Sequence, residues 1–401
     1  MNVTKIRKHF AFYKHNKNLY YLDSAASALK LDIAIDKMTD YYHKSGVNIH
    51  RGNYELAFFT TEEYEKAREV VAKFINADAK EIIFTKGATQ ALNLVANSAS
   101  VFAGSNDEVI TTEQEHNSSI LPWLHQADTL GYKPVYIPLN NEYRVTVENF
   151  KKVLNKNTKV VVINHVSNVL GYINPIKEIT KLAHEVGAVV ILDAAQSVPY
   201  MKIDVKDLDI DFLAFSGHKI FGPTGIGVLY GKKEQLLKLN VYEVGGEMVA
   251  KATKDQIIFQ DIPYRFEAGT PPIGEAIGLA EAIKYVDKLG FDKTTKHIEK
   301  LRQMAVKGLQ EIKGITVYNP NGDAGIVSFN LNGVHPHDAS SVYDELGVCL
   351  RSGHHCASIL TETLDAPGGT LRASISIYND EKDIEKLLEA TKKASEFFGR
   401  Y

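Results

Sequence analysis

The feature that most constrains the fold is a regular alternation of short apolar runs with segments of helical periodicity. Six β-rich runs of five to eight residues follow one another in the first part of the chain, at 81–85, 108–112, 134–139, 159–166, 188–195 and 212–216. Between them lie segments with apolar residues at helical spacing, at 88–100, 117–130 and 175–186. Runs that are apolar on both faces and alternate with helices indicate a mostly parallel sheet with helices on both sides. The sequence therefore predicts an α/β fold.

After about residue 273 the pattern changes, which predicts a second, smaller domain. A hairpin-like segment at 225–233 closes the strand-rich part of the first region. Two long helical stretches then lead to β-rich runs at 325–331 and 372–378 and to a final helix that begins at 380. This order is typical of an α+β domain. We predict a large domain over 18–285 and a small domain formed by 1–17 and 286–401.

Charge and cysteine content exclude several classes of protein. The chain has 46 Lys and Arg against 49 Asp and Glu, a net charge of −3, which gives no reason to expect nucleic acid as a partner. Apolar runs such as 159–163 are far shorter than the ~18 residues of a membrane-spanning helix. The N-terminus lacks the apolar stretch of a secretory signal. The two cysteines of the chain cannot form a disulfide framework, so we expect a cytoplasmic protein with no membrane partner.

Polar residues that follow the apolar runs are the candidates for a functional site. Ligands of open α/β sheets bind at the carboxyl ends of the strands. The side chains placed there by the sequence are Thr89, His116, Asn168, Asp193, Gln196, Ser216, His218 and Lys219. We expect them to lie along one edge of the sheet.

Two of these residues suggest a cofactor when they are taken together. Alone, Asp193 could cap the following turn and Lys219 could be a surface lysine. A lysine that forms a Schiff base, combined with an aspartate near a pyridinium nitrogen, is the protein signature of pyridoxal 5'-phosphate (PLP). The segment KGATQALN, at the start of a helix, suits a phosphate group. His116 could stack on a ring or could be an ordinary half-buried histidine.

The C-terminal part of the chain adds a possible nucleophile and a possible anion ligand. Cys356 lies in RSGHHCAS, where Arg351 and two histidines could keep its thiol reactive; the alternative is a small buried side chain. Cys349 is assigned to the core. Arg372 opens the run RASISIY and could bind a substrate carboxylate in bidentate fashion or lie at a strand edge. No spacing of residues predicts a metal site.

A set of segments along the chain resembles the cysteine desulfurases of the SufS type. These enzymes belong to the class V aminotransferase-like, fold-type I group of PLP enzymes. The similar segments are YLDSAAS (21–27), NIHRGNYELA (48–57), EHNSSILPW (115–123), HVSNVLG (165–171), DAAQSVP (193–199), SGHKIFGPTGIGVLYG (216–231), GGEM (245–248), RFEAGTP (265–271), RSGHHCA (351–357) and RASISIYN (372–379). The resemblance covers almost the whole chain in the order of the family.

The resemblance implies a role for each candidate residue. Lys219 would carry the cofactor, Asp193 would hold the ring nitrogen, Gln196 the ring hydroxyl, and His116 would stack on the ring. The phosphate would be held by Thr89, Ser216 and His218, with Thr270 reaching in from a partner subunit of a homodimer. Asn168 and Arg372 would bind the substrate carboxylate. Cys356 would be the nucleophile that receives the sulfur.

The implied reaction is the conversion of L-cysteine to L-alanine with a persulfide left on Cys356. The sulfur would pass to an acceptor for iron–sulfur cluster assembly, either a zinc-containing SufU-like protein served by His337 or a SufE-like protein. Three alternatives stay open: a selenocysteine lyase, a class V transaminase or lyase that does not use the thiol, and a non-enzymatic scaffold.

Two segments depart from the family pattern. The phosphate turn reads KGATQ, with Ala88 and Gln90 in place of a threonine and an acidic residue, so we expect one phosphate contact fewer or a main-chain substitute. The segment 358–371 lacks the usual aromatic residues and contains Gly368 and Gly369. Its altered composition predicts a different loop shape after the cysteine.

Overall fold

The computed structural model describes residues 1–399 and is built around a seven-stranded sheet. The order of its strands is β2-β8-β7-β6-β5-β3-β4. In chain order the strands of the protein are β1 (Tyr20–Tyr21), β2 (Ile82–Thr85), β3 (Glu108–Thr112), β4 (Lys133–Ile137), β5 (Thr158–Asn164), β6 (Val189–Asp193), β7 (Phe212–Ser216), β8 (Gly227–Gly231), β9 (Val249–Ala252), β10 (Ile257–Phe259), β11 (Ile315–Val317), β12 (Ile326–Leu331), β13 (Val348–Cys349), β14 (Arg351–Gly353) and β15 (Thr370–Ser374).

Helices cover this sheet and form much of the rest of the protein. They are α1 (Val3–Arg7), α2 (Phe12–His15), α3 (Asp32–Asp40), α4 (Glu55–Ile75), α5 (Ala88–Ala96), α6 (Ala99–Phe102), α7 (Asn117–Leu130), α8 (Val147–Val153), α9 (Ile176–Glu185), α10 (Val205–Leu208), α11 (Lys233–Leu236), α12 (Ile273–Leu289), α13 (Phe291–Gln310), α14 (Pro336–Glu345), α15 (Ser358–Thr363) and α16 (Glu381–Phe398). Across residues 1–399, none of the helices combines the length and apolar character needed to cross a membrane.

The central strands run parallel, as the predicted α/β fold requires. Strands β4, β3, β5, β6 and β7 pair in parallel, and β8 pairs antiparallel with both β7 and β2. The predicted hairpin at 225–233 is therefore wrong, because its strand lies inside the sheet between two others. The sheet is buried on both faces: Val160 and Val162 pack into one apolar cluster and Val161 and Ile163 into the other. This explains why β5 has no polar alternation. The fold class is confirmed.

A four-stranded antiparallel sheet, β11-β12-β15-β14, forms the second structural layer with α13, α14 and α16. The N-terminal helix packs against it, since Arg7 donates to Asp383 Oδ2 at 2.6 Å and to the carbonyl of Tyr378 at 2.8 Å. The predicted strand at 372–378 ends earlier, at Ser374, because the N–H of Ile375 donates to the carbonyl of Gly325 and the chain then turns. The predicted domain boundary at 285 lies inside α12 and stays a prediction.

Candidate functional site

A pocket of about 140 Å³ lies where the carboxyl ends of the parallel strands meet the small sheet. Its lining combines strand ends, two helix starts and one edge of the small sheet. The lining residues are Ala25, Ala26, Ala88, Thr89, His116, Ser118, Asn168, Asp193, Ala195, Ser216, His218, Lys219, Arg351, His355 and Arg372. The structure thus brings together the predicted residues Thr89, His116, Asn168, Asp193, Ser216, His218, Lys219 and Arg372.

Lys219 is held in a short 3₁₀ turn, Gly217–Lys219, directly after β7. Burial lowers the pKa of its amine below the ordinary lysine value, and the carboxylate of Asp193 opposes that shift. A less basic amine is a better nucleophile at neutral pH, which suits Schiff-base formation. Asp193 is buried at the end of β6, where one of its oxygens accepts the N–H of Ala195 at 2.9 Å. The pair therefore offers an amine and an anionic acceptor in one pocket.

His116 presents a neutral ring to the pocket. It is the N-cap of α7, and its Nδ1 accepts the N–H of Ser118 at 3.0 Å, so the ring proton lies on Nε2. Burial, followed by the nearby amine of Lys219, lowers the pKa of His116 to about 4. An uncharged imidazole is therefore fixed in orientation, which suits stacking on an aromatic ring.

The start of α5 offers a site for a phosphate group. The N–H of Ala88 donates to Ser216 Oγ at 2.8 Å, and Thr89 Oγ1 lies 2.7 Å from Ser118 Oγ. Hydroxyl groups and the positive end of a helix thus face one corner of the pocket. The main chain comes this close because Gly227 has no side chain: a Cβ there would lie 2.4 Å from Cα of Gly87.

The two unusual residues of the phosphate turn have structural roles. Ala88 contributes its main-chain N–H, as just described. The side chain of Gln90 accepts the N–H of Lys86 at 2.7 Å and donates to Glu243 at 3.0 Å, which braces the turn.

His218, another residue of the pocket lining, presents a neutral imidazole, because burial and then the amine of Lys219 lower its pKa to about 4. Taken together, the hydroxyls, the helix start, the amine and Asp193 match the groups of PLP.

Arg372 is buried and only partly satisfied by the protein. Its Nη1 donates to the carbonyl of Asn168 at 2.9 Å, and its Nη2 donates to Asp23 Oδ1 at 3.2 Å. Its Nε is buried without a hydrogen-bond partner among the described residues. Burial lowers the pKa of the guanidinium group to about 10, which leaves it charged at neutral pH. An unpaired donor on a buried cation indicates a missing anionic ligand.

The cysteine loop has an unusual backbone next to the pocket. His355 and Cys356 both have positive φ angles, 53° and 57°. The left-handed region is unfavourable for residues with a Cβ, so surrounding contacts must hold it. His355 Nε2 contacts Oγ1 of Thr370 at 2.9 Å, and Asn168 Nδ2 donates to the carbonyl of His355 at 2.8 Å. Arg351 Nη2 lies 3.4 Å from Cys356 Sγ, so a cation faces the thiol.

Four predicted residues are not part of the pocket lining; one of them is Cys356, whose loop lies next to the pocket. Gln196 is not part of the pocket lining given above; its side chain donates to the carbonyl of Ala25 at 2.8 Å. Thr270 is exposed on the loop after Gly269. His337 is exposed, and a Cβ placed on Gly353 would lie 3.3 Å from its Nε2, so it borders the cysteine loop.

The sequence analysis missed Asp23 and Ser118 as individual residues of the site. Asp23 orients Arg372, and Ser118 lines the phosphate corner beside Thr89. Both lie in segments that carried the family resemblance, YLDSAAS and EHNSSILPW. A search of those segments for polar side chains would have found them.

Comparisons with known proteins extend over nearly the whole chain. The sequence pattern of the class V aminotransferase family matches residues 20–387. A probable cysteine desulfurase from Halalkalibacterium halodurans is 45% identical, over 100% of this chain and 99% of that protein. Two solved structures are similar in fold: the cysteine desulfurase CsdA from Escherichia coli (TM-score 0.92, 35% identity, 99% of each chain) and a cysteine desulfurase from Thermococcus onnurineus NA1 (TM-score 0.93, 38% identity, 97% of each chain).

Proposed function

We propose, from the premise that this chain belongs to the class V aminotransferase family, that it is a PLP-dependent cysteine desulfurase. Its full-length relatives carry that name, and its pocket has the groups that PLP requires. The reaction converts L-cysteine to L-alanine and leaves the sulfur as a persulfide on Cys356.

The large sheet supplies the residues that hold the cofactor. Lys219 would bind the aldehyde carbon, Asp193 the protonated ring nitrogen, and the neutral ring of His116 would cover one face. Thr89, Ser216 and His218 would hold the phosphate. Gln196, whose side chain donates to the carbonyl of Ala25, would reach the ring hydroxyl. When bound, PLP withdraws electrons from the α-carbon of the substrate.

The remaining steps belong to side chains of this protein. Arg372, through its unpaired Nε, and Asn168 bind the substrate carboxylate. Lys219 removes the proton from the α-carbon and returns it later. Cys356 Sγ attacks the substrate sulfur: an S–S bond forms, the Cβ–S bond breaks, and its electron pair stays with the carbon fragment. Protonation of that fragment at Cβ gives alanine.

One observation carries this function: Asn168 joins the cofactor side of the pocket to the cysteine side. Its side chain holds the carbonyl of His355, and its own carbonyl accepts from Arg372. Lys219 and the cysteine loop are therefore parts of one site. A transaminase or lyase that does not use the thiol would give no reason for the positive φ angles of His355 and Cys356.

The test compares the two cysteines of the chain. Purified protein should be yellow and should release sulfide and alanine in equal amounts from L-cysteine with a reductant present. Without reductant, mass spectrometry of peptides should find one extra sulfur on Cys356. Cys356→Ser should lose sulfide release, whereas Cys349→Ser, at the second half-buried thiol, should keep it.

Each rival predicts a different outcome of that test. A transaminase or lyase that does not use the thiol keeps full activity in Cys356→Ser. A scaffold protein is colourless. A selenocysteine lyase turns over selenocysteine far faster than cysteine in the same assay.

We further propose that the enzyme is a homodimer. Exposed apolar side chains lie on α3, in the segment that follows it and at the start of α4, and we take them as one patch: Ile33, Ile35, Tyr42, Tyr54, Leu56, Phe58 and Phe59. Phe58 and Phe59 are 62% and 53% exposed, and patches of this kind mark association surfaces. A second copy of the chain would cover the patch, and its Thr270 would reach the phosphate of the neighbouring site.

The loop that carries Thr270 is anchored to the protein interior through Glu267, which suits a contact of Thr270 with the neighbouring subunit. Glu267 receives Arg68 Nη1 at 2.6 Å and the N–H of Phe84 at 2.7 Å, both in the buried interior. Phe58→Glu should convert the dimer to a 44.6 kDa species in light scattering. A wild-type protein that is monomeric and fully active would overturn the proposal.

The sulfur would leave Cys356 for a protein acceptor, in the cytoplasm, for iron–sulfur cluster assembly. Two free cysteines suit a reducing compartment. The exposure of His337 next to Gly353, at the border of the cysteine loop, supports a role in contact with an acceptor. We favour a SufU-like zinc protein, since a neutral imidazole can replace a thiolate on zinc and free it to take the sulfur. A SufE-like acceptor is the alternative.

A further inference from the structure

Glu115 is a buried carboxyl group to which the reaction above assigns no role. It is 2% exposed and directly precedes His116. Its Oε1 accepts from Thr112 Oγ1 at 2.9 Å, from the N–H of Asn164 at 2.9 Å and from Asn164 Nδ2 at 2.8 Å. Its Oε2 accepts from Ser119 Oγ at 2.8 Å. One side chain therefore receives four hydrogen bonds.

These four bonds join three elements, of which α7 contributes Ser118 and its N-cap His116 to the pocket lining. Thr112 ends β3, Ser119 lies in the first turn of α7, and Asn164 ends β5. Asn164 is also the parallel neighbour of Asp193 on β6. Through this carboxyl group, the start of α7 and its N-cap His116 are tied to the strand that pairs with Asp193.

Glu115 has no cationic partner among the described residues that would explain it as half of an ion pair. Burial raises its pKa to about 8, and its hydrogen-bond donors oppose that shift. A buried group satisfied by donors from several elements fixes their relative positions, because each lost bond leaves an unpaired polar atom. A glutamine in its place can accept at one oxygen and donate to Ser119 Oγ.

We propose that Glu115 is a positioning residue of the site: its carboxyl group fixes the ring of His116 relative to Asp193, and so fixes the face against which the cofactor ring rests. The proposal rests on the proposed function only for the identity of that ring as PLP. It assigns no chemical step to Glu115. What matters is its hydrogen-bonding shape rather than a negative charge.

The test compares Glu115→Ala with Glu115→Gln in the purified holoenzyme. The readouts are the visible circular dichroism of the bound cofactor, which reports its tilt against the protein, and the rate at which the cofactor is lost on dilution. Glu115→Ala should change the dichroism and lose the cofactor at least about tenfold faster, since small misplacements at a site have large effects. Glu115→Gln should match the wild type in both.

Matched variants separate positioning from stability. Thr391→Val removes a buried hydrogen-bond partner of Tyr343, in the small domain, and should lower the melting temperature with unchanged dichroism. Ser119→Ala removes one of the four bonds and should show a weaker form of the Glu115→Ala change, even if Glu115→Ala does not fold.

Several results would overturn the proposal. Unchanged dichroism and cofactor loss in Ser119→Ala and in any folded Glu115→Ala would do so. A Gln variant as altered as the Ala variant would show that the charge acts, not the shape. If wild-type protein binds PLP but releases no sulfide, the proposed function fails while this test still stands.

Discussion

The chain brings Lys219 into the pocket and Cys356 next to it by different means. Lys219 follows a buried parallel strand after two residues, and its turn is closed by local bonds such as that from the N–H of Ile220 to the carbonyl of Gly217. Cys356 lies on a loop between two strands of the small sheet. Its position depends on contacts with Arg351, Asn168 and Thr370, and on two residues with positive φ.

The difference teaches where each half of the reaction is vulnerable. The site of Lys219 is built into the large sheet, so only loss of the side chain itself should abolish its function. The cysteine loop is held by separate long-range contacts, so loss of one contact should weaken sulfur transfer and leave cofactor binding intact.

The largest effect should come from Lys219→Ala, which removes the amine that holds the cofactor and moves the α-proton. We expect turnover to fall by about 10²- to 10⁴-fold, the range of acid–base contributions. Borohydride reduction of the wild type followed by peptide mapping should place the cofactor on Lys219. Lys177→Ala, at an exposed lysine paired with Asp207, is the control and should be active. A label on another lysine would refute the assignment.

Arg372→Lys should have the next largest effect on activity. This substitution tests the side of the pocket that the small sheet forms. Lysine keeps the charge but cannot present the Nε–H, and one hydrogen bond to a charged group contributes ~1.5–3 kcal/mol, so kcat/KM should fall about 10- to 100-fold. The loss should appear mainly in KM for cysteine, with the cofactor spectrum unchanged. Arg302→Lys, at another buried arginine, is the control. An equal loss in Arg302→Lys would make the effect one of general stability.

The residues around Lys219 could be predicted from the sequence, whereas the cysteine region could not, because only the first region is held by local structure. The residues around Lys219 follow apolar runs in the sequence, and strand ends in a parallel sheet must meet at one edge. Asp193, Ser216 and Lys219 were therefore predictable from local pattern. Helix α7 was predicted at its observed bounds from the spacing of its apolar residues, and in the structure His116 caps its start and Gly131, with a φ of 76°, ends it.

The cysteine region could not be derived in the same way. Nothing in RSGHHCAS indicates that two residues with a Cβ adopt positive φ, since contacts from Asn168 and Thr370 impose it. Asp23 is 349 positions from Arg372, and no local pattern indicates their pairing. The roles of Cys356, Asn168 and Arg372 came from family resemblance, and the geometry that explains them required the structure.

Asn168→Ala should have a smaller effect and bears on the link between the regions. The alanine keeps the carbonyl that receives Arg372 but loses the amide that holds the carbonyl of His355. We expect sulfur transfer to Cys356 to slow about tenfold, because a displaced nucleophile attacks less often. Stopped-flow absorbance should show cofactor binding unchanged, weaker binding of cysteine because Asn168 also binds its carboxylate, and a slower sulfur-dependent phase. A change in the resting spectrum would mean that the two regions are not separable.

The next prediction concerns pH and the cofactor side alone. His116 and His218 have pKa values lowered to about 4, against about 6.5 in an unfolded chain. Between these values the unfolded state binds more protons than the folded state, so the free energy of unfolding should fall as the pH drops from 6.5 to 4. Above 6.5 neither group should contribute. Urea unfolding at several pH values measures this. His116→Asn, which keeps a capping side chain, should flatten the slope; an unchanged slope would contradict the assigned shift.

The smallest effect on the basal enzyme should come from His337→Ala, at the outer edge of the cysteine region. His337 is exposed and contacts no group of the pocket lining, so turnover with a small thiol reductant should stay within about twofold, as for most surface substitutions. It lies next to Gly353, at the border of the cysteine loop, and the proposed acceptor contact rests on this position. A SufU-like zinc protein should stimulate the wild type, and His337→Ala should lose most of that stimulation. His125→Ala, at an exposed histidine of α7, is the control.

If basal and stimulated rates fall together, His337 supports the loop structurally. If stimulation is unchanged, it has no part in transfer, and stimulation by a zinc-free SufE-like protein alone would replace the assigned acceptor.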